Sequence, residues 1–146
     1  MSKSPTLVFN HKIELATRAS FLLTCFSERE LDLDSLVFLD YAMLYAREFG
    51  GPINIHTDLP NKVAEIIRRR ELLPDALRLF VSKGLIHSSA TPDGVYFRAS
   101  ANTAQFVGCL KSEYYKKVWA NLLWLEANFD LVDRQRVGYI HRYFAK

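Results

Sequence analysis

Residues 61–99 constrain the fold more than any other part of the chain. From Leu73 onward, apolar residues recur at i, i+4, i+7 and i+8, the spacing of a helix with one buried face. Gly84 follows this pattern, and glycine readily takes the left-handed conformation that ends many helices. Pro92-Asp93-Gly94 then predicts a tight turn between two strands. Together these signals predict two short helices and a two-stranded wing, the outline of a winged helix-turn-helix.

An apolar run over residues 36–46 supplies the second constraint, and Asp40 is its only charged residue. A helix that is apolar on every face is buried on every face. We therefore predict that a helix from about Asp34 to Phe49 is the central post of the domain. Further helices are expected over about 11–25 and after about residue 101, with a loose or strand-like arm over residues 1–9.

The length of the chain predicts its domain organisation. A chain of 146 residues can bury a sizeable core as a single unit, so we expect one domain over residues 1–146. The predicted fold class is mainly α, with a winged helix-turn-helix core and a two-stranded wing, flanked by N- and C-terminal helices. The winged-helix unit is expected over about 34–100, and a C-terminal helical extension over about 101–146.

Charge, cysteine content and hydropathy indicate where the protein is located and what it can bind. A net charge of +3 permits contact with nucleic acid, but strong phosphate binders usually carry dense basic stripes. Cys25 and Cys109 each lie among apolar residues, so two buried, reduced thiols are expected. The longest apolar stretch is too short for a membrane span, and the first residues do not resemble a secretory signal. We therefore expect a cytoplasmic protein without a membrane partner.

Motifs for covalent chemistry are missing from the sequence. Phosphate-binding loops need clustered glycines, whereas the six glycines lie at positions 50, 51, 84, 94, 108 and 138. Metal sites need ligands at short spacing, and the four histidines and two cysteines are scattered. We therefore predict a protein that is not an enzyme and binds no cofactor, metal or small molecule. A nuclease or hydrolase whose site forms only in the folded chain stays an alternative.

Asp40 and a cluster of three arginines are the polar residues that stand out. An unpaired buried carboxylate costs several kcal/mol, so Asp40 must face water, a partner or an internal cation. We favour an ion pair within the chain, with Arg68, Arg69 and Arg70 as the candidates. The same arginines are expected at the turn between the two short helices, where they can contact phosphate or an acidic partner surface. Three consecutive residues of a helical turn cannot point the same way, so at least one is expected to pair within the fold.

The predicted recognition helix is a poor reader of base sequence. It presents Asp75, Arg78 and Lys83 outward, and the wing adds Arg98. Direct readout of bases uses several Arg, Lys, Asn or Gln side chains on the groove-facing side, and here they are few and mixed with an acid. We predict that this face docks on protein, or that Arg78, Lys83 and Arg98 contact only the DNA backbone.

Aromatic residues cluster late in the chain, and some are candidate interface anchors. Trp119 fits the buried face of its predicted helix, whereas Trp124 lies on a different side. Tyr143 and Phe144 are the last two residues of the final predicted helix. Large aromatic side chains often dominate the energy of protein interfaces, so Trp124, Tyr143 and Phe144 are predicted partner contacts.

A series of short motifs, in a fixed order, resembles a known family. The motifs are Leu33-Asp34, Leu39-Asp40-Tyr41, Gly50-Gly51-Pro52, His56, Pro60, Arg69-Arg70-Glu71-Leu72, Lys83-Gly84-Leu85-Ile86, Gly94-Val95-Tyr96-Phe97-Arg98-Ala99 and Tyr114-Tyr115. Over about residues 9–128 the chain is similar to the middle components of ABC-three-component systems, a group that includes LmuC, the small subunit of Lamassu bacterial defence systems. The segment from Leu131 onward lies outside the resemblance.

The resemblance implies a role within a complex. Such systems pair an SMC/Rad50-like ATPase with an effector, often a nuclease, and the middle component would be an accessory bridge between them in defence against phage or plasmid DNA. No catalytic residues are carried over. Asp40, His56 and Arg69-Arg70 match recurrent polar positions, and the resemblance implies that they determine the fold or an interface. The alternative function is a winged-helix DNA-binding transcriptional regulator.

Overall fold

The computed structural model describes residues 5–56 and 62–143, with side chains described over 11–56 and 64–139. These residues form helices and one small antiparallel sheet, which confirms the predicted mainly α class. The α-helices are α1 (Pro5–Cys25), α2 (Leu33–Leu44), α3 (Lys62–Ser82), α4 (Thr103–Gly108), α5 (Glu113–Ala127), α6 (Phe129–Arg134) and α7 (Arg136–Tyr143). The strands are β1 (His87–Thr91) and β2 (Gly94–Arg98).

Helix α2 is the buried centre of the molecule, as predicted. Every residue from Leu36 to Leu44 is buried, including Asp40, and the helix packs against α1, α3 and α5. Asp32, rather than Asp34, caps its start, because the Asp32 carboxylate accepts a 2.8 Å hydrogen bond from the Ser35 N–H. The helix is also shorter than predicted, since a 3-10 helix covers Ala46–Phe49.

The predicted pair of short helices within residues 61–83 is wrong. Helix α3 runs without a break over 21 residues, so residues 68–70 are helical and form no turn. Pro74 lies inside the helix, where it removes one backbone hydrogen bond. The helix packs against α1 and α2, and its buried apolar stripe continues on both sides of Pro74; it consists of Ile66, Leu73, Ala76, Leu77 and Phe80. Gly84, with φ of +72°, follows the helix in the predicted left-handed conformation.

The predicted hairpin is confirmed, and it is fastened to the segment before α2. Strands β1 and β2 pair from His87 with Arg98 to Thr91 with Gly94. Phe97 of β2 also exchanges two backbone hydrogen bonds, of 2.8 and 2.9 Å, with Leu31. Along the chain the order is therefore α1, the Leu31 bridge, α2, α3 and the hairpin.

The two ends of the described chain differ from prediction in detail. Helix α1 begins at Pro5, so a loose or strand-like arm is wrong for residues 5–9. The last predicted helix is two short ones, α6 and α7, with Gln135 between them. Buried residues of α5, α6 and α7 belong to the same core as α1 and α2; they are Val118, Leu122, Leu125, Val132 and Tyr139. Over the described residues, no helix has both the length and the hydropathy of a membrane span.

Candidate functional site

A buried ion pair between α1 and α2 is the centre of the polar interior. Arg18 Nε donates to Asp40 Oδ1 at 2.8 Å, and Nη2 donates to Oδ2 at 3.1 Å. Only 4% of the Arg18 side chain and 8% of the Asp40 side chain are exposed. The predicted partner of Asp40 was therefore wrong, because Arg18 takes that place rather than Arg68, Arg69 or Arg70. Two parallel hydrogen bonds make this pair both strong and geometrically specific.

The ion pair continues into a polar chain that joins four segments. Arg18 Nη1 lies 3.5 Å from the hydroxyl of Tyr114 on α5, and that hydroxyl is 3.2 Å from Nε2 of His56, in the segment that follows the 3-10 helix. Asp40, His56 and Tyr114 come from motifs that carry the family resemblance. The fold therefore brings these separated motifs together around Arg18, a residue that sequence reasoning missed.

Burial and neighbouring charges shift the pKa values of this polar chain. Burial alone would raise the pKa of the Asp40 carboxyl, but the Arg18 guanidinium outweighs burial and the pKa is lowered. Burial, together with Arg18 and Arg69, lowers the pKa of His56. Burial raises the pKa of Tyr114. Near neutral pH the site therefore holds a charged ion pair beside a neutral imidazole and a neutral phenol.

The three consecutive arginines of α3 have different surroundings. Arg69 is buried, with its Nε 3.7 Å from the Glu65 carboxylate and its guanidinium 5.8 Å from the centre of the Tyr45 ring. Arg70 forms a 2.9 Å ion pair with Asp34 at the surface. Arg68 is half-buried beside Arg69. The expectation that at least one of them pairs within the fold is confirmed.

The residues predicted to touch a DNA backbone are exposed and spread along α3 and the hairpin. Arg78 pairs with Asp75 at 2.7 Å, while Lys83 and Arg98 are exposed. A groove of about 590 Å³ separates α3 from the hairpin, and its charged lining residues are Asp32, Asp34, Arg70, Arg78 and Asp93. With three acids against two arginines, this groove is a poor surface for phosphate.

The predicted aromatic anchors are only partly described. Trp124 is half-buried and packs on the core, where a Cβ atom on Gly51 would lie 3.0 Å from its ring. The Tyr143 side chain and all of Phe144 lie outside the described residues. Trp124 therefore has a structural role within the chain, and its contact with a partner stays a prediction.

An apolar groove between α1, α4 and α5 was not predicted from the sequence. It has a volume of about 510 Å³, and Phe21, Val107, Leu110, Tyr115 and Trp119 form most of its wall. Lys111 and Lys116 stand at its edge. Its residues are separated by up to about a hundred positions in the chain, so no local pattern could have indicated it.

The cysteines differ from the predicted buried pair. Cys109 is exposed and Cys25 is only half-buried. Burial, with a hydrogen bond to Glu126, raises the pKa of the Cys25 thiol to about 12. A thiol held in its protonated form is a poor nucleophile. Within residues 5–56 and 62–143, no group of His, Cys, Asp or Glu side chains is arranged to hold a metal ion.

Comparison with protein families identifies the family of this chain. The family described as ABC-three component (ABC-3C) system Middle Component 2 matches residues 8–146, nearly the whole chain. The chain belongs to this family. Neither the curated proteins nor the solved structures give a significant match.

Family membership corrects one expectation from the sequence, namely that the segment from Leu131 onward lies outside the resemblance. The family match includes the segment from Leu131 onward, so α6 and α7 belong to it as well as the earlier helices. As a middle component, the chain works within a multi-component system.

Proposed function

We propose that this middle component is a non-catalytic accessory subunit that bridges an SMC/Rad50-like ATPase and an effector nuclease. The complex would be a Lamassu-like defence system that acts against phage or plasmid DNA in the cytoplasm, with the chain in an LmuC-like position. Family membership over residues 8–146 is the observation that carries this proposal. ATP hydrolysis and DNA cleavage would then be done by the other subunits.

The polar interior supports a structural rather than a catalytic role. Asp40 and Arg18 satisfy each other in a buried bidentate pair, so neither is available to transfer a proton to a substrate. His56 is held against Tyr114, with a lowered pKa. The family-like polar positions therefore fit the role of fixing the relative placement of α1, α2 and α5.

In fold terms, we propose a modified winged helix in which α2 and α3 form the helix pair. The order α1, Leu31, α2, α3 and hairpin supports this assignment. In it, strand β2 of the hairpin pairs with Leu31, the residue position just before α2. The acidic lining of the groove between α3 and the hairpin favours protein contact over DNA reading. Any DNA contact would be to the backbone, through Arg78, Lys83 and Arg98.

The groove between α1, α4 and α5 is the proposed docking site for one partner subunit. Apolar side chains form its wall, and Lys111 and Lys116 stand at its edge. This combination fits an amphipathic helix that inserts apolar side chains and carries Asp or Glu beside them. The charge complementarity would orient the helix, and burial of its apolar face would supply most of the affinity.

The test is affinity purification of the tagged chain after co-expression with the proteins encoded by the flanking genes. A stable complex with a coiled-coil ATPase and an effector is expected. If the chain purifies alone although a coiled-coil ATPase is co-expressed, the proposal fails. Sequence-selective, salt-sensitive gel shifts by the isolated chain would instead support the winged-helix transcriptional regulator. Metal-dependent cleavage by the isolated chain would support a hidden nuclease site.

Two matched variants test the docking groove within that complex. Ala104 lines the groove and is exposed, and Ala120 is exposed on α5 outside the groove lining. Ala104→Glu places a negative charge where apolar and acidic groups are proposed to dock, so loss of one partner is expected. Ala120→Glu should leave the complex intact. Equal retention of both partners by the two variants would exclude this groove as the docking site.

A further inference from the structure

A smaller, more polar cavity lies between α1, α3 and His56. It has a volume of about 230 Å³. Its polar lining residues are His11, Glu14, Arg18, His56, Arg68 and Arg69. Glu65 also reaches it. The cavity therefore adjoins the Arg18–Asp40 ion pair but offers groups that the pair does not use.

Arg69 supplies the decisive observation at this cavity. Its side chain is only 6% exposed, yet its Nη1 has no hydrogen-bond partner in the described part of the chain. The Glu65 carboxylate approaches only the Nε side, at 3.7 Å. A buried N–H of a charged group without an acceptor is costly, so an acceptor brought in from outside would be stabilised there.

The buried charges beside the cavity favour a negatively charged hydrogen-bond acceptor. Arg18, Asp40 and Arg69 are each at least nine-tenths buried, and their formal charges sum to one positive charge. Glu14 is exposed and Glu65 is about one-third exposed, so water screens much of their charge. Arg68 stands at the same cavity and adds a second donor fork.

The size of the cavity limits what can bind. Sites for drug-sized ligands and cofactors usually occupy about 300–1,000 Å³, so this cavity is smaller than that range. It is nevertheless several times larger than the roughly 30 Å³ that one water occupies in the liquid. A compact polyatomic ion, or one terminal group of a larger molecule, fits these limits.

We propose that this cavity binds a phosphate-sized oxyanion, held by Arg69 Nη1 and by the guanidinium of Arg68. Guanidinium groups match the planar and tetrahedral oxygens of such ions through paired N–H donors. His56 and His11 at the wall add further polar contacts. The site belongs to this chain alone and does not rest on the proposed partners.

The test is a binding titration of the full chain with inorganic phosphate, at constant ionic strength, followed by NMR of the histidine rings and by calorimetry. Saturable binding is expected, with a rise in the pKa of His56 because an anion offsets the effect of the nearby arginines. Parallel titrations use AMP, which tests a phosphate ester, and acetate, which tests a carboxylate. Comparing the three affinities shows which kind of anion the cavity prefers. Binding of any of the three anions that depends on Arg69 supports the site, and the anion that binds most tightly identifies the class of ligand.

Variants decide whether the binding belongs to this cavity. Arg69→Met should weaken binding on the order of 10- to 100-fold, the loss expected for a hydrogen bond to a charged group. Arg68→Gln, at a less buried position, should weaken it as well and serves if Arg69→Met does not fold. Arg78→Met is the control, because Arg78 is exposed and outside the cavity. The proposal is overturned if none of the three anions binds, which leaves a water-filled cavity, or if the cavity variants bind like the control.

Discussion

Replacing Asp40 by asparagine keeps the shape of the side chain but removes the charge that balances Arg18. The pair is bidentate and almost completely buried. Breaking a buried ion pair from one side typically costs about 3–5 kcal/mol. A Coulomb estimate of about 4 kcal/mol for unit charges 4 Å apart, at an effective dielectric constant of about 20, agrees with that range. Asp40→Asn should therefore lower the free energy of unfolding by about 3–5 kcal/mol.

Urea denaturation of the wild type and the variant, followed by circular dichroism, measures this change. The matched control is Asp34→Asn on the same helix. Asp34 also forms an ion pair, 2.9 Å from Arg70, but both side chains are largely exposed. Exposed pairs contribute about 0.2–1 kcal/mol, so the control should change stability by that amount. The reasoning is refuted if Asp40→Asn costs no more than Asp34→Asn.

A double variant separates the cost of an unpaired charge from the worth of the pair. Arg18→Met together with Asp40→Leu removes both charges and refills the space with apolar groups. Such replacements are often neutral or stabilising. The double variant should therefore be more stable than Asp40→Asn alone, and a lower stability would contradict this assignment of the cost.

Three further predictions concern pH dependence, thiol reactivity and close packing. Burial and nearby arginines lower the pKa of His56 in the folded chain. The free energy of unfolding should therefore be highest above pH 6.5, about the pKa of an unfolded histidine, and should decrease as the pH is lowered from there. Urea midpoints from pH 5 to 8 should show this loss, and His56→Gln should flatten it. With its pKa raised to about 12, Cys25 should react with a thiol reagent far more slowly than exposed Cys109, as peptide mapping would show. Gly51→Ala should lower the free energy of unfolding by about 1–3 kcal/mol, as thermal unfolding would show, since its Cβ would lie 2.7 Å from the Ala46 Cβ and 2.9 Å from the Ala46 carbonyl oxygen.

Local patterns predicted the elements well wherever one signal dominated. The apolar run of residues 36–46 indicated the buried post, and Pro92-Asp93-Gly94 indicated the hairpin turn. Helix α3 was predicted as two short helices, with Arg68–Arg70 at a turn between them, and this was wrong. Tertiary packing of its apolar stripe on α1 and α2 outweighed that local preference.

The polar site could be predicted only in part, because its partners come from distant segments. Asp40 was expected to pair with an arginine of the same chain, and it does, although the arginine is not one of those predicted. Its partner, Arg18, lies 22 residues earlier, on a helix with no unusual local pattern. Pairing between helices depends on how they cross, and no local sequence pattern reveals that crossing. The unpartnered Arg69 Nη1 is likewise visible only in three dimensions.

The proposed function requires that this Middle Component 2 protein bridges an ATPase and an effector. Mass photometry of the purified ATPase and effector, mixed with and without this chain, tests it most directly. The account predicts that ATPase and effector form a common complex only when the chain is present, and that Ala104→Glu weakens its assembly while Ala120→Glu does not. Equal association of ATPase and effector in the absence of the chain would contradict the bridging role.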